Sequence, residues 1–300
     1  MPSPTMSLCL CVRIFCLFAA GAAPAAFTNT LGAKPMLDTF PAFTSRFVAA
    51  RNVSVYLPAC YRDNPTQRCA VLYMHDGQNL FDPATSFIGV DWAVHTALEQ
   101  LLAAQRVRPT IIVGVWNTPQ RLPEYMPAKP CALITNPVVQ AEFDRKYGKP
   151  LSDAYLRFIV TELKPFIDTR YRTQPDRANT FIMGSSMGGL ISAYALCEYP
   201  QVFGGAACLS THWPAGDGVM IDYLRGALPD PATHKIYFDH GTETLDASYA
   251  QFQLRVDDVL RAAGYTDGTN WLTRRFPGHE HSERAWRQRV HIPLAFLLPN

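Results

Sequence analysis

The most informative segment of this chain is Phe181-Ile182-Met183-Gly184-Ser185-Ser186-Met187-Gly188-Gly189-Leu190. A short apolar run leads into a Gly-x-Ser-x-Gly turn, and helix-favouring residues follow. This order predicts a nucleophile elbow, in which a serine projects from a sharp strand-to-helix turn. Glycines at 184 and 188 leave room for a strained backbone and a close helix. A nucleophile at Ser185 would need glycine at Met183, so the register selects Ser186. The plain alternative is a strand–helix connection that is rich in small residues.

The composition suits one large α/β domain that has no charged polymer as its partner. Of the 300 residues, 48% are hydrophobic, which is enough to bury a sizeable core. Charged residues make up 17% of the chain, below the usual ~25%. The net charge is +2, with no basic run and no acidic tail. We therefore expect no nucleic-acid partner.

Residues 1–26 are predicted to be a signal peptide. Arg13 ends a weakly basic segment, the apolar run Ile14–Ala20 follows it, and the alanine-rich segment Ala22–Ala26 suits a signal peptidase. The apolar run is shorter than the ~20 residues that a membrane-spanning helix needs. We therefore expect an exported protein, periplasmic or extracellular, with no stable membrane insertion after removal of the signal.

Cysteine usage fits an oxidising compartment. A bond between Cys60 and Cys69 would staple the hairpin predicted between two strand-like runs. Cys131, Cys197 and Cys208 are the other cysteines beyond the signal segment, and the odd total leaves at least one free thiol. No cysteine–histidine spacing suggests zinc.

From about Phe40 onward, strand-like and helix-like segments alternate, which predicts a mostly parallel, doubly wound sheet with helices on both faces. The predicted strands are Phe47–Leu57, Ala70–Met74, Thr110–Trp116, Asn179–Met183, Gly204–Leu209, His234–Phe238 and Trp271–Arg275. The predicted helices are Asp91–Ala104, with Asp91 as its cap, Ser152–Phe166, Tyr249–Ala263 and Glu283–Leu298. Pro119–Lys149 is predicted to be an irregular excursion over the active-site face. No repeat or linker divides residues 38–300, which we expect to form a single catalytic domain.

A serine hydroxyl is a poor nucleophile at neutral pH, so it needs a base and a group that orients the base. In a doubly wound sheet of this type, the acid and the histidine follow the serine on loops after later strands. One such loop is Asp239-His240-Gly241-Thr242-Glu243-Thr244-Leu245-Asp246, and the other is Phe276-Pro277-Gly278-His279-Glu280-His281-Ser282-Glu283.

Five segments together carry a family resemblance. They are His75-Asp76-Gly77-Gln78-Asn79-Leu80-Phe81-Asp82, Arg121-Leu122-Pro123-Glu124-Tyr125-Met126-Pro127, Gly184-Ser185-Ser186-Met187-Gly188-Gly189, Asp239-His240-Gly241-Thr242-Glu243, and Gly278-His279-Glu280-His281 with Trp286. In these the chain resembles the putative esterase (esterase D-like) family of α/β hydrolases, which includes feruloyl, acetylxylan and enterochelin esterases and mycolyltransferases. The resemblance implies an α/β-hydrolase fold and a serine carboxylic-ester hydrolase that needs no metal or organic cofactor.

The resemblance also implies which histidine is the base. Feruloyl esterases of this family have a histidine five positions before an aromatic residue of the terminal helix. His281 stands five positions before Trp286, and His279 does not. His279 is then expected to be a hydrogen-bonding loop residue, and His75 a core or loop residue beside the oxyanion turn.

The identity of the acid stays open at this point. The family usually places it three residues after the glycine, where this chain has Thr244. Counting back from the following helix favours Asp246, with Glu243 as the second candidate and Asp239 as a structural acid at the strand end. Some enterochelin-esterase relatives work with a Ser–His pair, so a weak or absent acid is a further alternative.

Two N–H groups are needed to bind the oxyanion. We expect them to be the main-chain groups of Met187, at the positive end of the elbow helix, and of Gln78, in the turn after Ala70–Met74. Four loop residues, Trp116, Tyr125, His212 and Trp213, are candidates for substrate binding, either lining an acyl pocket or stacking on a sugar. The alternative for all four is packing.

The predicted reaction is hydrolysis of a feruloyl, acetyl, siderophore or short-chain ester through an acyl-enzyme. One alternative is transfer of the acyl group to a sugar hydroxyl, and another is a non-catalytic binding protein on the same scaffold. A metal-dependent hydrolase built on His279-Glu280-His281 lacks an obvious third ligand. The sequence leaves the substrate and the oligomeric state open.

Overall fold

The computed structural model describes Met1 and residues 37–300, through which one eight-stranded sheet runs. The strands are β1 Leu37–Phe43, β2 Arg51–Tyr56, β3 Ala70–His75, β4 Thr110–Val115, β5 Thr180–Ser185, β6 Gly205–Leu209, β7 Lys235–His240 and β8 Trp271–Arg275. Their spatial order is β1-β2-β4-β3-β5-β6-β7-β8, with β2 antiparallel to both of its neighbours and β3 to β8 parallel. The mostly parallel, doubly wound sheet is confirmed. The predicted signal peptide, residues 1–26, lies outside the described residues apart from Met1.

Helices cover both faces of the sheet. They are α1 Ala59–Asp63, α2 Val94–Ala103, α3 Arg121–Tyr125, α4 Ala128–Cys131, α5 Pro137–Tyr147, α6 Ser152–Phe158, α7 Lys164–Arg170, α8 Met187–Glu198, α9 Val219–Ala227, α10 Ala250–Ala262, α11 Glu283–Arg289 and α12 His291–Leu297. Helices α2, α11 and α12 pack on one face, and α5 to α10 pack on the other. Among the described residues, no helix is long and apolar enough to cross a bilayer.

Strand β3 shows how the two cores arise. Its residues are all buried, but alternate side chains enter opposite cores. Val71 and Tyr73 belong to the core under α8, whereas Leu72 and Met74 belong to the core under α2. A parallel strand that is covered on both faces therefore reads as a continuous apolar run.

The structure corrects three of the sequence-based boundaries. The segment Pro119–Lys149 is not irregular, because it contains α3, α4 and α5, and the last of these is capped by the side chain of Asn136. The predicted helix Ser152–Phe166 continues to Arg170 as α6 and α7, joined by a π-helical turn. The predicted terminal helix is divided into α11 and α12, and Pro293 in the second has no N–H to donate to the preceding turn.

The region of Cys60 and Cys69 also differs from the prediction. Both thiols are free, and α1 occupies part of the segment that was predicted to be a hairpin loop. Asp91 does not cap α2 either, since the helix begins at Val94, and the Asp91 carboxylate accepts from the N–H of Ala93 and pairs with Arg287.

The contact between β5 and α8 generates a stability prediction. A β-carbon at Gly184 would lie 2.8 Å from the carbonyl carbon and oxygen of Gly188, so the backbone has to move. We predict that Gly184→Ala lowers the free energy of unfolding by about 1–3 kcal/mol, as overpacking does, measured by urea denaturation. The matched control is Gly226→Ala in α9, where the added methyl meets nothing within 4 Å. It should raise stability by up to about 1 kcal/mol, and equal effects of the two changes would contradict this packing.

Candidate active site

Ser186 lies at the tip of the turn between β5 and α8. Its backbone has φ 58° and ψ −121°, a strained conformation for a residue with a side chain. The N–H of Ser186 donates to the carbonyl of Leu209 in β6 at 2.9 Å, which ties the turn to the neighbouring strand. The half-buried side chain lines a surface cavity. This is the geometry that the Gly-x-Ser-x-Gly pattern predicts.

His281 and Asp246 form a close pair beside the same cavity. The His281 Nδ1 lies 2.6 Å from the Asp246 Oδ1, and the Asp246 side chain is fully buried. Burial alone would raise the pKa of Asp246, but the hydrogen bond and charge of His281, and then hydrogen bonds from Ser210 and Gly241, lower the pKa below its usual range. The edge of Trp286 packs on the imidazole, with 5.1 Å between ring centroids. The carboxylate is therefore ionised and fixes the orientation of the imidazole.

The structure places the other acid candidates away from this pair. The exposed Glu243 accepts from its neighbour Thr242 and makes no contact with the imidazole in the described geometry. Asp239 is buried at the end of β7, where its carboxylate pairs with Arg289 at 3.0 Å and accepts from the N–H of Ser210. The chain reaches Asp246 through a 3-10 turn, Thr244–Ser248, that begins with a positive φ at Thr244.

The turn after β3 is held by a network of charge and hydrogen bonds around Asp76. This residue adopts a left-handed conformation (φ 56°), and its carboxylate receives a two-point contact from Arg121 at 2.8 and 2.7 Å and a third bond from Asn117. Burial alone would raise the pKa of Asp76, but Arg121 lowers it. Gly77 sits against β4, where a β-carbon would come within 2.5 Å of Gly114.

The two residues predicted to bind the oxyanion occupy this turn and the elbow. Met187 is the first residue of α8, where N–H groups have no partner within the helix. Gln78 lies in the short helical turn Gly77–Asn79 and lines the cavity, and its side chain accepts from the N–H of Asn117 at 3.2 Å. Strands β3 and β5 are direct neighbours in the sheet, so the two turns lie side by side at its carboxyl edge.

The cavity has a volume of about 440 Å³ and combines a polar wall with an apolar rim. Its lining residues are Asp76, Gln78, Asn79, Phe87, Ile88, Asn117, Thr118, Arg121, Ser185, Ser186, His281, Ser282, Glu283 and Trp286. The ring of Phe87 is 83% exposed, which is unusual for a large apolar side chain and leaves it free to contact a bound molecule. The N–H of Phe87 donates to Asn79 at 2.9 Å, which fixes this loop to the turn after β3.

The four predicted substrate-binding residues do not line this cavity. Tyr125 and Trp213 are buried in the core, where the Tyr125 hydroxyl accepts from the N–H of Asp76 and the Trp213 indole donates to Gln253. Trp116 donates to Ser54 at 3.0 Å. The geometry of these three favours packing, the alternative that the sequence left open.

His212, the fourth, lies between two tyrosines. Its ring nitrogens contact the hydroxyls of Tyr249 at 2.7 Å and Tyr147 at 3.3 Å. Burial lowers the pKa of His212 to about 4, so the ring is neutral at physiological pH. The two tyrosine hydroxyls hold the ring in place outside the lining of the cavity.

The remaining histidines near the site have structural surroundings. His75 is buried, its Nδ1 lies 2.9 Å from the hydroxyl of Tyr155, and burial lowers its pKa to about 3. His279 contacts Arg289 and stacks near Phe276. Within residues 37–300, no group of three histidine, cysteine or acidic side chains is arranged to hold a metal ion.

Several residues of the site had no role in the sequence analysis. Arg121 and Asn117 hold Asp76, Phe87 forms the rim, and Ser210 donates to Asp246. Arg121 stands in a segment that carries the family resemblance, and Ser210 directly follows a predicted strand, which are the signals that point to them. The sequence has no periodic pattern that marks a loop residue as part of a cavity, so only the structure shows that Phe87 lines this one.

Known proteins share this architecture. A solved ferulic acid esterase superimposes with a TM-score of 0.62 at 19% identity, covering 88% of this chain and 98% of its own. An IroE-like serine hydrolase from Shewanella oneidensis gives a TM-score of 0.66 at 20% identity, covering 87% of this chain and 80% of its own. The uncharacterised protein YbbA of Bacillus subtilis is 26% identical over 226 residues, which cover 72% of this chain and 80% of YbbA.

The structural matches establish the α/β-hydrolase fold and nothing further, because their sequence identities are only 19% and 20%. The assignment of the chain to a family comes from a family model that spans most of the chain. The family model described as "Putative esterase" matches residues 44–291 and thereby includes both Ser186 and His281. The chain belongs to this esterase family, and it is an ester hydrolase.

Proposed function

We propose that the protein is a serine esterase in which Ser186, His281 and Asp246 form the catalytic triad. The observation that carries the proposal is the 2.6 Å contact between His281 Nδ1 and the buried Asp246 Oδ1, next to a cavity that Ser186 and His281 both line. A carboxylate bound to Nδ1 fixes the tautomer that leaves Nε2 free to accept a proton. The triad order along the chain, serine then acid then histidine, is that of α/β hydrolases.

The proposed reaction has two halves. Ser186 Oγ attacks the ester carbonyl while His281 Nε2 accepts the hydroxyl proton, and the imidazolium then protonates the departing alcohol. Water, deprotonated by the same nitrogen, then attacks the acyl-enzyme carbonyl, the bond to Ser186 Oγ breaks, and the imidazolium returns the proton to Oγ as the carboxylic acid leaves. Asp246 stays ionised throughout and stabilises the imidazolium.

The developing oxyanion is proposed to bind the main-chain N–H groups of Met187 and Gln78. Support comes from the position of Met187 at the N-terminus of α8, where the helix dipole is positive, and from Gln78 in the turn that lies beside it. Asp76, held by Arg121, keeps that turn in place before the substrate arrives. Such preorganised donors are typically worth about 10²–10³ in rate.

The cavity is proposed to accept an ester with an apolar or aromatic portion. Phe87 and Ile88 supply exposed apolar side chains, and other lining residues offer amide and carboxyl groups for hydroxyls. One structural neighbour is a ferulic acid esterase, and feruloyl, acetyl, siderophore and short-chain esters are the classes to test. We also propose residues 38–300 as the catalytic domain of an exported protein, on the sequence pattern alone.

The activity prediction concerns the nucleophile. Protein lacking residues 1–26 should hydrolyse at least one member of a panel of p-nitrophenyl acetate, butyrate and octanoate, methyl ferulate, acetylated xylan and a catecholate siderophore ester. Ser186→Ala should lower kcat on the order of 10⁴-fold or more, because no other group can form the acyl-enzyme. The control is Ser192→Ala, which removes a buried hydroxyl of helix α8 that donates to the carbonyl of Gly188. Full activity in Ser186→Ala would refute the proposal.

A second prediction separates the two acid candidates. Asp246→Asn should lower kcat by about 10²–10⁴-fold, because the amide favours the wrong histidine tautomer. Glu243→Gln should stay within about twofold of the parent, as expected of an exposed side chain. The measurement is steady-state kinetics on the best panel substrate. A large loss in Glu243→Gln would reassign the acid, and no loss in either variant would indicate a Ser–His pair.

A further inference from the structure

Ser210 is a buried serine that directly follows β6 and reaches the site from behind Asp246. It is 0% exposed, and its backbone has φ 41°, which is unfavourable for a residue with a side chain. Its N–H donates to the carbonyl oxygen of Asp239 at 2.8 Å and is also 3.1 Å from the Asp239 carboxylate. The surrounding structure therefore holds Ser210 in a conformation that it would not adopt by itself.

The direction of the Ser210 hydroxyl is determined by its neighbours. The indole Nε1 of Trp286 lies 3.0 Å from the oxygen and the Nη2 of Arg289 lies 2.8 Å from it, and both groups can only donate. The single hydroxyl proton is then left for the third neighbour, Asp246 Oδ2, at 2.6 Å. Ser210 is thus a donor to the carboxylate in the only arrangement that satisfies all four groups.

The two oxygens of Asp246 consequently have separate tasks. Oδ2 accepts from Ser210 and from the N–H of Gly241, each at 2.6 Å, while Oδ1 faces His281. A carboxylate held at one oxygen by two donors cannot rotate about its Cβ–Cγ bond without breaking them. Rotation is what would take Oδ1 away from the imidazole.

Helix α11 supplies both groups that hold the Ser210 hydroxyl. Trp286 and Arg289 are three residues apart and therefore lie on one face of the helix. Arg289 is 1% exposed, pairs with Asp239 at 3.0 Å and lies 3.9 Å from Asp246 Oδ2. Its guanidinium also stacks over Phe276 at 4.9 Å. These contacts restrict the movement of the Arg289 guanidinium away from Ser210 Oγ.

We propose that Ser210 is a positioning residue of the triad, which acts through Asp246 by locking the carboxylate so that Oδ1 faces His281. Trp286 and Arg289 set the direction of its hydroxyl. The inference rests on the proposed function, since it assigns Ser210 a role only if Asp246 is the acid. It adds a fourth side chain to the unit that determines the rate.

The test is a double-mutant cycle between Ser210→Ala and Asp246→Asn. Ser210→Ala removes the donor and should lower kcat by about 10- to 100-fold, the range for a hydrogen bond to a charged group, with KM within about twofold. In the Asp246→Asn background the same change should cost less than about twofold, because the carboxylate on which Ser210 acts is gone. A purely structural role would give the same loss in both backgrounds.

Two further variants separate positioning from folding. Ser54→Ala removes another buried hydroxyl that accepts an indole N–H at 3.0 Å. Ser54 lies in β2, which β4 and β3 separate from β5, and this change should leave kcat unchanged. Ser210→Gly also lacks the hydroxyl but relieves the positive φ, so it should lose as much kcat as Ser210→Ala while unfolding at a higher temperature. Thermal unfolding is recorded for every variant.

Each outcome of this experiment is decisive. A loss in Ser210→Ala that disappears in the Asp246→Asn background supports the proposal. A loss of equal size in both backgrounds, or full kcat in Ser210→Ala, overturns it while leaving the triad intact. Full activity in Asp246→Asn alone refutes the assigned acid instead, so failure of the triad and failure of the Ser210 proposal are distinguishable.

Discussion

Three adjacent parallel strands end in a left-handed backbone that carries a side chain. Strands β3, β5 and β6 are followed directly by Asp76, Ser186 and Ser210, with φ values of 56°, 58° and 41°. Each such residue costs on the order of 1–3 kcal/mol and persists only where its surroundings determine it. The sharp turns project the three side chains at the carboxyl edge of the sheet instead of continuing the strands. The candidate active site depends on this shared constraint.

A different set of contacts holds each strained residue. Asp76 is fixed by the charge of Arg121, whereas Ser186 is fixed by a main-chain bond to Leu209 and by glycine packing at the start of α8. Ser210 is held through Asp239 and Arg289, which pair deep in the structure. The contacts beneath the site therefore stabilise the strained backbone of the residues at its surface.

The sequence predicted the turn at Ser186 and the choice of histidine. The strand–turn–helix pattern around Ser186 follows from local rules. The choice of His281 came from the family resemblance, through the five-residue interval between His281 and Trp286. The sequence did not separate the two acid candidates, because Glu243 and Asp246 share one loop, and only in the structure does the 3-10 turn after Thr244 bring Asp246 into contact with His281.

The burial of the aromatic candidates for substrate binding could not be predicted from the sequence. Tyr125 and Trp213 are residue types that are common in binding pockets, but both are buried. Whether an aromatic ring is buried or exposed depends on which distant elements cover it. The same holds for Ser210, whose side-chain partners Asp239, Asp246, Trp286 and Arg289 lie between 29 and 79 positions further along the chain. Contacts of that range leave no period in the sequence.

Covalent labelling of the nucleophile tests directly whether His281 activates Ser186. Purified protein would be treated with a fluorophosphonate, which reacts with serines that an adjacent base activates, and the adduct would be located by peptide mass spectrometry. We expect one equivalent of label on Ser186 and none on a His281→Ala variant. Labelling of a different residue, or no labelling of folded protein that still hydrolyses esters, would contradict it.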